Sequence, residues 1–299
     1  MARTTTTTTT TTTRKPNPLL ELAALSMAAC RRHMTSYAHP KSKHTFTQAQ
    51  LMTCLVLKAH LKQTYRGFVQ LLAASDGLRD AIGLSAAAVP AHTTLKMFER
   101  RAATPELLDA LLGRVLELAR ERSGGVRVDE LAVDSTGVEC SPASRHYALR
   151  IGRARGRYVK LMVAVACGSI LAVSATASFG PSNDCADCWG VLWRASGRCA
   201  PHSAYLDSGF DGERQHAFFR DGMGTASFIP PVVRTADGSV RTEHRSKCVA
   251  LPAAYGRRWH VETFFSAVKR VCGSAVRARS EASMLREALL KVLAYSAYR

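Results

Sequence analysis

The sequence predicts an α/β protein, a mixed sheet flanked by helices and preceded by a small all-α region. Three observations carry this reading. Apolar residues recur at mixed three- and four-residue intervals from Asn17 to about Ser123. The pattern breaks at Ser123-Gly124-Gly125, and beyond it three β-prone runs are followed by short strands alternating with helical segments.

Residues 4–13 are an unbroken threonine tract, polar low complexity with nothing to bury, so residues 1–16 are expected to form a disordered tail. Leu19 to Cys30 is apolar but only about a dozen residues long, too short to span a bilayer, and Glu21 interrupts it. It reads as a buried helix. Leu51, Leu55 and Leu57, then Phe68, Leu71 and Leu72, then Leu107 to Leu118 continue the helical spacing, giving a helical domain over 17–123. Within it, Val89-Pro-Ala-His-Thr-Thr-Leu95 places a Thr cap before Leu95 to Arg101, which suits the second helix of a helix-turn-helix.

From Val126 to Gly137 the chain reads as a buried strand, followed by apolar β-prone runs at Tyr158 to Gly168 and Ile170 to Ser178 with a tight turn between them. Three antiparallel strands are expected. Asp184 can cap a helix reaching about Ser196. A strand from Ala204 to Asp207, a helix from Gly212 to Phe219, a strand from Ser227 to Pro230, a polar loop and a long helix from Tyr255 complete the domain over 127–299.

The chain has 299 residues, 46% hydrophobic and 21% charged, enough to bury a sizeable core. Its 41 Lys and Arg against 23 acids give a formal charge of +18, which fits a polyanionic partner rather than an acidic or small neutral one. Nine scattered cysteines lack the framework of a small secreted domain and point to a reducing, cytoplasmic setting with no membrane span.

The segment Tyr255-Gly-Arg-Arg258-Trp-His-Val-Glu262-Thr-Phe-Phe-Ser-Ala-Val-Lys269 sets one acid among basic and aromatic groups. At about 100° per residue, Tyr255, Glu262 and Lys269 fall nearly in line with Arg258 close by, while Val261, Phe264, Val268 and Cys272 form a separate apolar face. Two further acids, Asp134 in Leu-Ala-Val-Asp134-Ser-Thr-Gly137 and Asp207 in Ala-Tyr-Leu-Asp207-Ser-Gly209, each end a predicted strand beside a small-residue turn. Singly, such acids are turn or cap residues. Together with Glu262 they supply oxygen ligands for two Mg²⁺ or Mn²⁺ ions, which can clamp the attacking and leaving oxygens of a phosphodiester displacement.

At these residues the chain resembles the DDE transposases of bacterial insertion sequences, in the group whose last helix carries a Tyr-x2-Arg-x3-Glu-x6-Lys signature. Tyr255, Arg258, Glu262 and Lys269 match it fully. Asp134-Ser-Thr-Gly137, Leu206-Asp-Ser-Gly-Phe-Asp211 and Tyr158-Val-Lys160 look like the two Asp blocks and the basic second strand of that family. Tyr65-Arg-Gly and Val89 to Thr94 look like its amino-terminal helical region. The resemblance implies an RNase H-like core with Asp134, Asp207 and Glu262 as a catalytic, metal-binding triad. It implies cleavage of transposon ends and strand transfer into target DNA by a homo-oligomer on double-stranded DNA, and it places Tyr255, Arg258 and Lys269 on DNA phosphates. Pro231 to Leu251 departs from the pattern, being too short for the large inserted domain of some members.

Arg145, Arg150, Arg153, Arg155, Arg157 and Lys160 follow the first Asp block with glycines between them, a basic hairpin that can track a phosphate backbone or stand as a solvated loop. Cys185-x2-Cys188-x10-Cys199-x2-His202 has spacing compatible with a zinc knuckle, although two of its cysteines fall on a predicted amphipathic helix, where burial as small apolar groups competes. His260 is rotated away from Glu262 and reads as a packing or surface residue. Rival functions are a non-catalytic DNA-binding protein, domesticated or decayed, and a metal-dependent nuclease on the same fold.

Overall fold

The computed structural model describes residues 17–41, 43–125, 127–140 and 157–299. The first of these form six helices: α1 (Pro18–His33), α2 (Gln48–His60), α3 (Tyr65–Ala73), α4 (Asp76–Ile82), α5 (His92–Ala102) and α6 (Pro105–Arg122). Caps set several of their starts. Thr47 and Gln50 form a reciprocal capping box on α2, and Thr104 accepts from the Leu107 amide to open α6. The expected Thr cap of the 89–101 segment is corrected: α5 starts at His92 with Ala91 as its N-cap, so both threonines lie inside the helix.

β1 (Glu130–Cys140), β2 (Tyr158–Ala166) and β3 (Leu171–Gly180) are antiparallel neighbours, as the sequence predicts. α7 (Asp184–Asp187), α8 (Trp189–Ser196), β4 (Ser203–Leu206), α9 (Glu213–Ala217), β5 (Ala226–Phe228), α10 (Glu243–Ser246), α11 (Trp259–Cys272), β6 (Ala275–Val276) and α12 (Glu281–Tyr298) follow. Among the described residues the sheet has six strands in the order β3-β2-β1-β4-β5, with β6 pairing β1 farther along. β4, β5 and β6 join in parallel. This is the mixed, helix-flanked sheet that the sequence predicts, beside an all-helical amino-terminal region.

β2 is buried on both faces, which is why it reads as a nearly unbroken apolar run. Val159, Leu161, Val163 and Val165 meet the core built by α1, α2, α6, α11 and α12, whereas Met162, Ala164 and Ala166 meet a second core under α8. The amino-terminal helices therefore have no separate core. They bury their apolar faces against α12 and the sheet, so the glycine break at 123–125 divides secondary structure but not packing. α12 is the helix that periodicity did not predict. From Ala288 to Ala297 every residue is buried, and a helix enclosed all round lacks the polar stripe that marks an amphipathic one.

Fully buried Asp109 on α6 ties the layers together. It accepts from Ser174 Oγ at 2.8 Å, the Ala175 amide at 2.7 Å and an Arg198 guanidinium nitrogen at 2.7 Å, with Arg194 Nε also 2.8 Å away. Two local expectations change around α7. Asn183, not Asp184, caps it, and the predicted helix over 184–196 breaks at Cys188 into two. The zinc knuckle does not form. Cys185 Sγ faces the Gly209 carbonyl, Cys188 Sγ the Cys185 carbonyl, Cys199 Sγ the Ala195 carbonyl, and exposed His202 lies beside Asp129. Burial pushes the Cys188 and Cys199 thiols up to about 11, and none of the nine cysteines, all among the described residues, forms a disulfide.

Candidate active site

The site lies in a notch along one edge of β1. β4 stops at Leu206, opposite Val133, and β6 begins only at Ala275, opposite Glu139. Among the described residues, 134–138 have no strand partner on that edge. Asp134 is the first residue beyond the last β4 pairing and Asp207 the first beyond β4 itself, so the two acids emerge where the parallel ladder ends. Strand alternation puts Asp134 on the face of Ala132 and Val138, toward α11, whose Val261, Phe264 and Val268 anchor that helix in the same core. Glu262, in the first turn of α11, is thereby held over the notch.

The acids differ in their surroundings. Asp134 is 15% exposed and its Oδ1 accepts from the Ser135 amide at 2.7 Å. Burial, with the negative charges of Asp207 and Asp184 added, pushes its carboxyl up to about 6 against the opposing pull of that amide and of Arg258. Asp207 accepts from the Gly209 amide at 2.8 Å, closing an Asx turn. Burial raises its carboxyl as well, with further contributions from Asp184 and Glu262. A Cβ on Gly209 would come within 2.9 Å of Asp207 Oδ1 and 3.3 Å of Asp184 Oδ2, so the turn needs a glycine for close approach.

Arg258 joins two of the three acids. One guanidinium nitrogen donates to Glu262 Oε1 at 2.6 Å and the other lies 3.4 Å from Asp134 Oδ2. The first contact is an i,i+4 pair, and the contact to Asp134 adds a link across elements. The single helix expected from Tyr255 is corrected: residues Ala253–Arg258 form a 3₁₀ turn and α11 starts at Trp259. Tyr255 consequently leaves the helical stripe, and its hydroxyl donates to the Leu206 carbonyl at 2.9 Å, pinning the turn to the end of β4. Lys269 donates to Thr136 Oγ1 at 2.7 Å, and burial lowers its ammonium below the usual lysine range.

Of the basic hairpin, Arg145, Arg150, Arg153 and Arg155 lie outside the described residues. Arg157 is exposed, paired with Glu281 and stacked over the Phe179 ring. Lys160 sits differently from the surface position its sequence context suggests. It is 3% exposed, and its ammonium meets Asp184 at 2.8 Å, Asp187 at 2.9 Å and the Ser182 carbonyl at 2.9 Å. His260 turns toward the Arg257 carbonyl, 2.9 Å away, and takes no part in the site. An open groove of about 410 Å³ runs past the notch over Ser135, Thr136, Gly137, Tyr158 and Lys160.

The polar segment 231–251 packs against the second acidic turn. Arg245 makes a bidentate pair with Asp211, both contacts at 2.7 Å, and also donates to the Val232 carbonyl. Asp184 is the residue that sequence reasoning missed. Its sequence context is that of a helix cap, a turn after β3, and only the fold brings its Oδ2 beside the Asp207 turn.

Hard oxygen donors of this kind suit Mg²⁺ or Mn²⁺. Among the described residues no three acids converge closely enough to grip an ion as they stand, with Arg258 bridging Asp134 and Glu262. The donors fit the cation in kind, and Arg258 would have to yield for them to close.

Comparison with known proteins agrees with this architecture. The family model described as transposase DDE domain matches residues 129–297, from the start of β1 to the end of α12, and so includes Asp134, Asp207 and Glu262. No curated protein matches the chain. A match over more than half of the sequence, on a sheet that gathers three acids at one notch, establishes that the chain belongs to the DDE transposase family.

Proposed function

We propose that this protein is a metal-dependent polynucleotidyl transferase that cleaves the ends of its own DNA element and joins them to target DNA. The observation that carries the reading is the notch itself. Three acids, from β1, the end of β4 and α11, border it, and Arg258 links two of them, Asp134 and Glu262. Asp134, Asp207 and Glu262 would hold two Mg²⁺ or Mn²⁺ ions, which when bound supply Lewis-acid activation and charge neutralisation for phosphodiester displacement.

The chain's own residues do the positioning. Tyr255 fixes the Asp207 turn relative to α11 through the Leu206 carbonyl, so two of the acids move as one unit. Arg258, partly exposed between Asp134 and Glu262, is placed to exchange a carboxylate for a DNA phosphate. Lys269, beside Thr136 on β1, and Arg157 at the start of β2 extend positive charge along the groove. The charge of +18 favours a long DNA duplex over a small substrate, and a reaction joining two element ends to a target calls for more than one copy of the chain. No helix among the described residues is long and apolar enough to cross a membrane. A cytoplasmic site of action on chromosomal DNA accords with cysteines that carry no disulfide among the described residues.

The test is incubation of purified protein with a labelled duplex of its element's ends and target DNA in Mg²⁺, beside Glu262→Gln. Cleavage and joining by the wild type, lost in the variant while DNA binding persists, is expected. Cleavage without joining would assign a nuclease. Binding without strand breakage by either protein would assign a non-catalytic DNA-binding protein.

A further inference from the structure

Lys160 is a buried cation on the sheet face opposite Asp134 and Glu262, sharing its side of β2 with Met162 and Ala164. A buried ammonium needs a counter-charge, and Asp187 at 2.9 Å already provides one, with the Ser182 carbonyl as a further acceptor. Asp184 adds a second acid to the same ammonium, leaving net negative charge on the trio. That surplus charge lies beside the Asp207 turn, where Asp184 Oδ2 comes within 3.3 Å of the position a Cβ on Gly209 would take.

The geometry gives this arrangement a direction. Lys160 fixes Asp184 Oδ1, while Oδ2 faces the Asp207 turn. Asp184 Oδ2 and Asp207 Oδ1 lie 3.3 Å and 2.9 Å from the same point above Gly209, so their separation cannot exceed those two lengths laid end to end. α7 is also held there independently of Asp184: Gln215 Nε2 donates to the Cys185 carbonyl at 2.9 Å and Cys185 Sγ to the Gly209 carbonyl at 3.3 Å. The notch is open between the ends of β4 and β6, so a carboxylate from the α8 face can approach the same space as Asp134 and Glu262 from the α11 face.

We propose that Asp184 is a fourth acidic residue of the divalent-cation site, contributing Oδ2 directly or through a bound water beside Asp207. This rests on the cation-binding reading of the notch. With Oδ1 held by Lys160, Oδ2 is a hard oxygen donor left facing Asp207, the kind of ligand a divalent cation takes.

The experiment is a titration of the purified full chain with Mn²⁺, followed by calorimetry and by the electron paramagnetic resonance of free Mn²⁺, with no DNA present. Wild type, Asp184→Asn, Asp187→Asn and Asp134→Asn are compared, and thermal unfolding in EDTA verifies that each is folded. Asp184→Asn is expected to bind Mn²⁺ about tenfold to a hundredfold more weakly. Asp187→Asn removes a Lys160 partner from the same short helix and is expected to bind as the wild type does. Wild-type affinity in Asp184→Asn, with binding lost in Asp134→Asn, would overturn the role of Asp184 and leave the triad standing. No Mn²⁺ binding by the wild type would overturn the cation site and this proposal with it. Should Asp184→Asn not fold, Asp184→Ser makes the same comparison.

Discussion

Replacing Asp134 by Asn should make the metal-free protein more stable at neutral pH while destroying its function. The Asp134 carboxyl rises from the ordinary 3.8 to about 6, chiefly because it is buried. A raised carboxylate binds its proton more tightly in the folded chain than in the unfolded one. Its contribution is therefore fully present below about pH 4 and is lost as pH rises through about 6. The two-unit gap corresponds to about 3 kcal/mol at roughly 1.4 kcal/mol per unit. Relaxation and screening at a site 15% exposed bring the expected gain to about 1–2 kcal/mol. An Asn keeps the acceptor for the Ser135 amide and removes only the charge, and Arg258 retains Glu262. Urea unfolding in EDTA from pH 4 to 8 measures the effect. The two proteins should coincide at the acid end, diverge between about pH 4 and 6, and stay a constant distance apart above that, with the variant ahead. Added Mn²⁺ should then raise the midpoint of the wild type and not of the variant. A variant no more stable than the wild type at pH 7.5 in EDTA would refute the claim that charge at this notch is held against its own electrostatics.

Asp109→Ala strands Arg194 and Arg198 and orphans Ser174 Oγ and the Ala175 amide, so it should cost about 3 kcal/mol in denaturant unfolding, near the low end for breaking a buried pair because both arginines reach solvent. Leu289→Ala, in the enclosed part of α12, should cost about 2–5 kcal/mol in the same assay. Gly209→Ala should act on function instead. Its methyl would meet Asp207 Oδ1 at 2.9 Å, so Mn²⁺ binding and end cleavage should fall sharply while the thermal midpoint stays near that of the wild type. Unchanged Mn²⁺ affinity there would show that Asp207 can shift without loss.

The parts of this fold legible in the sequence are those whose physics is local. β2 betrays double-sided burial by its unbroken apolar run, and Asp207 betrays the end of β4 by the small residues after it, whereas Asp134, expected to end its strand, lies inside β1, which runs on to Cys140. The pairing of Glu262 with Arg258 follows from their i,i+4 spacing, although the helix carrying Glu262 starts four residues later than Tyr255. What was illegible depends on contacts distant in sequence. α12 hides because a fully enclosed helix has no polar face to give it a period, and the shared core of α1, α2, α6 and α12 hides because patterning reports which residues are buried but not against what. Lys160 looked like a surface cation because its neighbours in sequence are basic, and only the return of the chain after β3 brings Asp184 and Asp187 to it. The same return turns an acid that reads as a cap into a charge felt by both Asp134 and Asp207. A site assembled at a gap between strands draws on every segment bordering that gap, so its membership follows from sheet order. In this chain the border includes α7 on one face and α11 on the other, and only α11 carries a motif that announces it.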